Sequence, residues 1–204
     1  MTRGPRCTPR TQAALGLALC VLLAWPPLRH ALEASMWRHM VLQFPLLMAA
    51  GALLAAALPP RTRGAVARWN AHGIAGLVLV ACVLAVLMVP RVLDLALRDP
   101  AIEAAKVAVL LGAGAALRLS WRAAGLVVQG FFLGNMLPMT AVVGQLYIDA
   151  PLRLCNAYLL DDQARLGQWL IALAALLALG WLAQVGWWMA RREGGSAPLA
   201  PDHS

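Results

Sequence analysis

Apolar residues along the chain fall into six runs, over about 13–28, 36–58, 71–89, 101–119, 123–148 and 166–190, with short polar connections between them. A hydrocarbon core about 30 Å thick needs about 20 residues of apolar helix. The pattern therefore predicts an all-α, polytopic transmembrane helix bundle of about six spans, forming one domain over 1–204. Proline marks the limits of the runs. Pro26-Pro27 closes the first, Pro59-Pro60 the second and Pro90 the third, while Pro100 precedes the fourth. At each of these places a helix starts or stops without losing an internal hydrogen bond. The Gly- and Pro-containing tail over 191–204 reads as mobile and solvated.

Composition strengthens this reading. Of 204 residues, 61% are hydrophobic and only 13% charged, and mean hydropathy is +0.70. A chain this short has no interior large enough to hide that much apolar surface, so lipid is its natural solvent. The net charge of +8 would raise nucleic-acid binding in a soluble protein, but here the arginines stand between apolar runs and form no single patch, so no nucleic-acid partner is expected. They read as topology signals. Alternate connections carry Arg3, Arg6, Arg10, Arg61, Arg63, Arg68, Arg118, Arg122, Arg191 and Arg192 on one side against Glu193 and Asp202. The other side balances seven basic against seven acidic residues. Retention of positive charge inside predicts both termini in the cytoplasm, in agreement with an even number of spans. The first run follows three arginines and is short, so it reads either as a signal peptide or as a retained span. The small-residue cleavage pattern after it, best around Ala31 to Ala34, is poor, and the parity of spans favours retention.

Candidate chemistry gathers at the outward ends of the second and fifth runs and in the connection after the fifth. Met36, His39, Met40 and Gln43 are spaced to share one helical stripe. Imidazole and thioether donors suit copper, Cu(I) above all. The alternative is plain packing, since methionine fills cores and interfacial histidines are common. The fifth run carries Gln129, Gly134, Asn135, Met136, Pro138 and Met139, residues costly against lipid, which predicts a kinked helix facing the bundle interior, with Gly134 allowing close approach. By depth along the helices, Met136 and Met139 can share a layer with His39 and Met40. Cys155, in the following connection, is a thiol able to pass a soft metal inward or an idle cysteine. Cys7, Cys20 and Cys82 show no metal-binding or disulfide spacing. His72 reads as belonging to the opposite end of the bundle from His39, which counts against one haem clamped by both. No nucleophile-elbow, zinc-protease or phosphate-loop motif occurs, so no enzyme is expected.

The segment Ser35-Met36-Trp37-Arg38-His39-Met40, followed by Pro45-Leu46-Leu47, resembles the His-Met-rich second-helix motif of CtaG-type proteins, membrane factors for cytochrome c oxidase assembly. Asp162-Gln163 with Gly167 is similar to that family's Asp-Gln-x-x-x-Gly segment at the start of the last span. The resemblance covers the outer ends of two helices and extends weakly over about Met36 to Trp188. Two departures stand out: Ser35 where the family often has a first histidine, and Asn135, Met136 and Met139 in place of a histidine in the penultimate span. The resemblance implies help in delivering copper to, or assembling, a haem-copper oxidase at the outer face of a bacterial inner membrane. Oxidase subunits or a copper carrier would be the partners, besides membrane lipid. Two other classes fit the same chain: a non-catalytic membrane subunit or anchor of a respiratory or transport complex, and a small permease. A permease needs a continuous polar path, and the polar positions stop in the outer half.

Overall fold

The computed structural model describes residues 8–194, which form helices and short connections with no strand among the described residues. Arg3, Arg6, Cys7 and the tail from 195 onward, including His203, lie outside the described residues. Proline starts most of the helices. α1 (Pro9–Ala24), α2 (Pro26–Glu33), α4 (Pro60–Trp69), α6 (Pro90–Ala96) and α7 (Pro100–Asp149) each carry proline in the first turn, where its missing N–H has no helical partner to lose. α3 (Phe44–Leu54), α5 (Ile74–Leu87) and α8 (Leu160–Gly194) complete the set. A wide π turn over Arg38–Gln43 leads into α3 and a tight turn over Ala55–Ala57 ends it, giving one rod from Arg38 to Ala57.

Three of these helices, the Arg38–Ala57 rod, α7 and α8, are long and apolar enough to cross a membrane. Two bent pairs, α1 with α2 at 71° and α4 with α5 at 86°, raise the number to five if each pair is one crossing. The short helices α2, α4 and α6 occupy stretches read from the sequence as connections. The fourth and fifth runs correspond to the two arms of α7, which is broken at Gly125 (φ 63°, ψ 176°), a conformation essentially confined to glycine. The chain reverses there. Gly73, at the start of α5, lies against Ser120 and Ala124, while the Tyr147 hydroxyl donates to Met88 O, just past the other end of α5, at 2.7 Å. The two arms of α7 are thus antiparallel. Gln129 Nε2 ties the bend by donating to Trp121 O at 2.6 Å.

Glycine lets the central helices touch backbone to backbone. A Cβ on Gly114 would stand 1.8 Å from Met48 O, and one on Gly51 would stand 2.0 Å from Leu111 O, so α3 and the first arm of α7 meet at atoms no side chain could separate. Gly144 and Gly167 face each other's carbonyl in the same way between the second arm and α8. Gly134, by contrast, has open space beside it, and Pro138 is exposed, so the close approach lies ten residues further on. The buried core sits toward one end of the bundle, around Met36, Met40, Phe44, Leu110, Tyr147 and Leu166. Outward faces remain apolar, as with Val127, Phe131, Leu176 and Leu179, which is a surface suited to lipid and not to water.

Candidate functional site

The site grows from the turn before α3. Pro45 has no N–H to give to the carbonyl four residues earlier, Val41, and the chain ahead of it widens into the π turn Arg38–Gln43. Wide turns of this kind recur at functional positions because they re-aim side chains. Here His39, fully buried, and Gln43 both reach Lys106 on the first arm of α7, while Met36 and Met40 are buried beside them in the chain.

His39 has both ring nitrogens engaged. Nδ1 lies 2.9 Å from the Tyr158 hydroxyl and Nε2 lies 2.7 Å from Lys106 Nζ. The hydroxyl donates its one proton to Glu33 O at 2.8 Å, so it can only accept from the ring. His39 is then the neutral tautomer with hydrogen on Nδ1 and a lone pair on Nε2, facing the ammonium. Lys106 also contacts Glu103 Oε2 at 2.7 Å and Gln43 Oε1 at 3.3 Å. Arg29 closes the far side, with Nε 2.9 Å from Glu33 Oε1 and 4.0 Å from Glu103 Oε1. Two cations and two carboxylates balance around a neutral imidazole, the condition under which charges tolerate burial.

The connection after α7 folds over this cluster as a cap. Asp162, in the first turn of α8, accepts from Ser35 Oγ at 2.6 Å and from the backbone N–H of Met36. Gln163 accepts from Leu154 N at 2.8 Å and donates to Tyr147 O at 3.1 Å, tying the cap to the end of α7. Asp94 on α6 accepts from Cys155 Sγ at 2.8 Å, Asn156 N at 2.9 Å and Ala157 N at 3.0 Å. Burial opposes charge on Asp94, but these donors outweigh it and hold the carboxyl below its ordinary value. Burial, with the Asp94 hydrogen bond second, pushes the Cys155 thiol up to about 12, and burial likewise raises the Tyr158 phenol. An open cavity of about 550 Å³ lies on the cap, lined by Trp37, Arg38, Tyr158, Asp161, Asp162 and Arg165 among others.

The residues singled out from the sequence therefore divide. Met36, His39 and Met40 are all buried, on a segment that is a π turn from Arg38 onward instead of the regular helix their spacing assumed. Met136 and Met139 line a different cavity, of about 310 Å³, with Met88, Val89, Thr140 and Tyr147, and Met139 is 51% exposed. None of Met36, His39 or Met40 is among the lining residues of that cavity. Cys155 is buried on Asp94 instead of standing at the surface. Asn135, expected to face inward, is exposed and satisfies itself on Phe131 O at 2.7 Å. Among the described residues no three His, Cys, Asp or Glu side chains gather to hold a metal ion. Sequence reasoning missed Lys106, Glu103 and Arg29, although Glu103 and Lys106 stand three apart inside a predicted span, which is itself a sign of a buried pair. Chemically, the cluster can hold a cation on the His39 lone pair and pin four segments together. Comparison with family models, with curated proteins and with solved structures finds nothing that matches this chain.

Proposed function

We propose that this chain is a multi-pass protein of a bacterial inner membrane that assists the assembly of cytochrome c oxidase and handles copper at the outer face as cargo. The supporting observation is a contact: the two segments that resemble CtaG-type motifs, 126 positions apart, meet where Asp162 accepts from Met36 N and Ser35 Oγ. The donor set also fits the cargo, since one imidazole and two thioethers on neighbouring buried positions suit a soft monovalent ion and not a hard one. Met36, His39 and Met40 are the first candidates to hold it, with Met136, Met139 and Cys155 as further ones. Six crossings follow if the two bent pairs, the Arg38–Ala57 rod, both arms of α7 and α8 each cross once. Both termini then share a side, which the arginine count assigns to the cytoplasm, with the His39 cluster on the outer side. A strain lacking the protein should contain an oxidase depleted in copper, restored by wild type and not by His39→Ala. Normal copper content in the deletion strain overturns this function.

A second reading, a metal-free subunit or anchor of a respiratory or transport complex, is favoured by one observation: the network around His39 is closed, with both ring nitrogens hydrogen-bonded. Such a network suits a structural pin. If a partner complex still co-purifies when Met36, His39 and Met136 are all replaced, the anchor reading gains.

A further inference from the structure

The cluster at His39 already holds a cation. Tyr158, committed to Glu33 O, fixes hydrogen on Nδ1 and leaves the only lone pair on Nε2. That lone pair, the donor a metal would use, is taken by the Lys106 ammonium at 2.7 Å. The geometry points to Lys106 as the gate of this site: its ammonium occupies the seat of a soft monovalent metal on His39 Nε2, and the metal enters when Lys106 withdraws onto Glu103. This inference rests on the copper reading above and adds to it how the site is opened.

Three features carry it. First, Lys106 has a second anchor in place, because Glu103 Oε2 already lies 2.7 Å from Nζ. An ammonium that leaves the imidazole keeps its counter-charge and is not stranded in a buried region, where an unpaired charge is severely penalised. Second, the charges of Arg29 and Lys106 against Glu33 and Glu103 balance, so an entering ion adds its whole charge to the cluster. A divalent ion adds twice that of Cu(I), which makes the seat selective for charge as well as for softness. Third, Met36 and Met40 flank His39 in the chain, are 0% and 5% exposed and belong to one buried cluster, so two thioethers stand in the segment that carries the imidazole.

The test uses the full chain in detergent under reducing conditions, with Cu(I) affinity measured by competition against a chromophoric Cu(I) chelator. Lys106→Leu should bind Cu(I) tighter than wild type by about tenfold or more, the effect of removing a competing cation. The gain should vanish in Lys106→Leu with His39→Ala, and Lys106→Arg, which keeps a cation in place, should show none. Lys106→Leu leaves Glu103 with only Arg29, 4.0 Å away, and can fail to fold, so the charge-neutral pair Lys106→Leu with Glu103→Gln is made beside it and should show the same gain. Equal affinity in wild type and these variants, a gain that persists without His39, or no Cu(I) binding by any of them overturns the gate. Failure of the assembly function is read separately, in the copper content of oxidase from the deletion strain.

Discussion

Tyr158 has one proton and two partners, and that asymmetry sets the state of the whole cluster. Its hydroxyl accepts from His39 Nδ1 and donates to Glu33 O, so Tyr158→Phe strands a buried N–H and a carbonyl at once. The expected loss is about 1–3 kcal/mol of stability, the penalty of leaving a buried polar group unpaired, read as a lower unfolding midpoint in detergent. Phe keeps the ring packing, so a wild-type midpoint would mean that the hydroxyl bridge adds nothing. Asp94 makes a second residue-scale prediction. Its carboxyl titrates below the ordinary 3.8 when folded, so the stability it contributes is complete above that pH and is lost as pH falls through the folded value. Asp94→Asn should flatten the acid limb of the stability profile and expose Cys155, which otherwise resists thiol reagents at neutral pH because its thiol is buried and held at about 12. At this scale the sequence revealed soft donors but not their company. Spacing along one helix puts Met36, His39 and Met40 together, whereas Lys106 and Tyr158 reach His39 from 67 and 119 positions away, and no local pattern encodes such a meeting.

Helices show the reverse balance, because what shapes them is local. Proline at the first turn fixed the starts of α4, α6 and α7 where the sequence placed its breaks, and the Arg38–Ala57 rod matches the second run almost residue for residue. The surprise is α8, which begins at Leu160, six positions before the apolar run, because Asp161 and Asp162 suit a helix N-terminus and Asp162 is needed there to reach Ser35. Another is the place of the bend in the fifth run. Pro138 lies inside the second arm of α7, and the chain reverses earlier, at Gly125, where φ of 63° excludes other residues. Gly125→Ala should cost about 1–3 kcal/mol from backbone strain alone, because the space beside it is open. Gly112→Ala, also in open space but within regular helix, should be neutral or slightly stabilising, since alanine is the better helix former by about 1 kcal/mol. Comparable unfolding midpoints for the two variants would remove the argument that the reversal depends on a positive φ.

Across the whole molecule, polar contacts pin the ends and glycine packs the middle. At the end away from His39, Asn70 Nδ2 donates to Ser120 Oγ at 2.8 Å, and Arg118 donates to Ala52 O at 2.9 Å and Gln12 Oε1 at 2.6 Å. Arg191 lies 3.7 Å from the Trp187 ring, a pairing suited to a headgroup layer. Between the two ends the contacts are of the Gly51 and Gly114 kind, backbone against backbone. This division is what a bilayer imposes, since only its two surfaces offer water to charged groups. The proposed function requires a sidedness as well. It predicts that the arginine-rich end, with Arg61, Arg63, Arg68, Arg118, Arg122 and Arg191, lies in the cytoplasm and the cap over 150–158 outside. A cysteine placed at Leu152, which is 74% exposed, should react in intact cells with a maleimide that cannot cross the membrane, whereas one placed at Gly64, with nothing within 4 Å, should react only after lysis. A fluorescent protein fused after Ser204 should mature and glow, as it does in the cytoplasm. Labelling at position 64 in intact cells would reverse the orientation, and a copper-handling site at the outer face would then lose its access to an outward-facing oxidase.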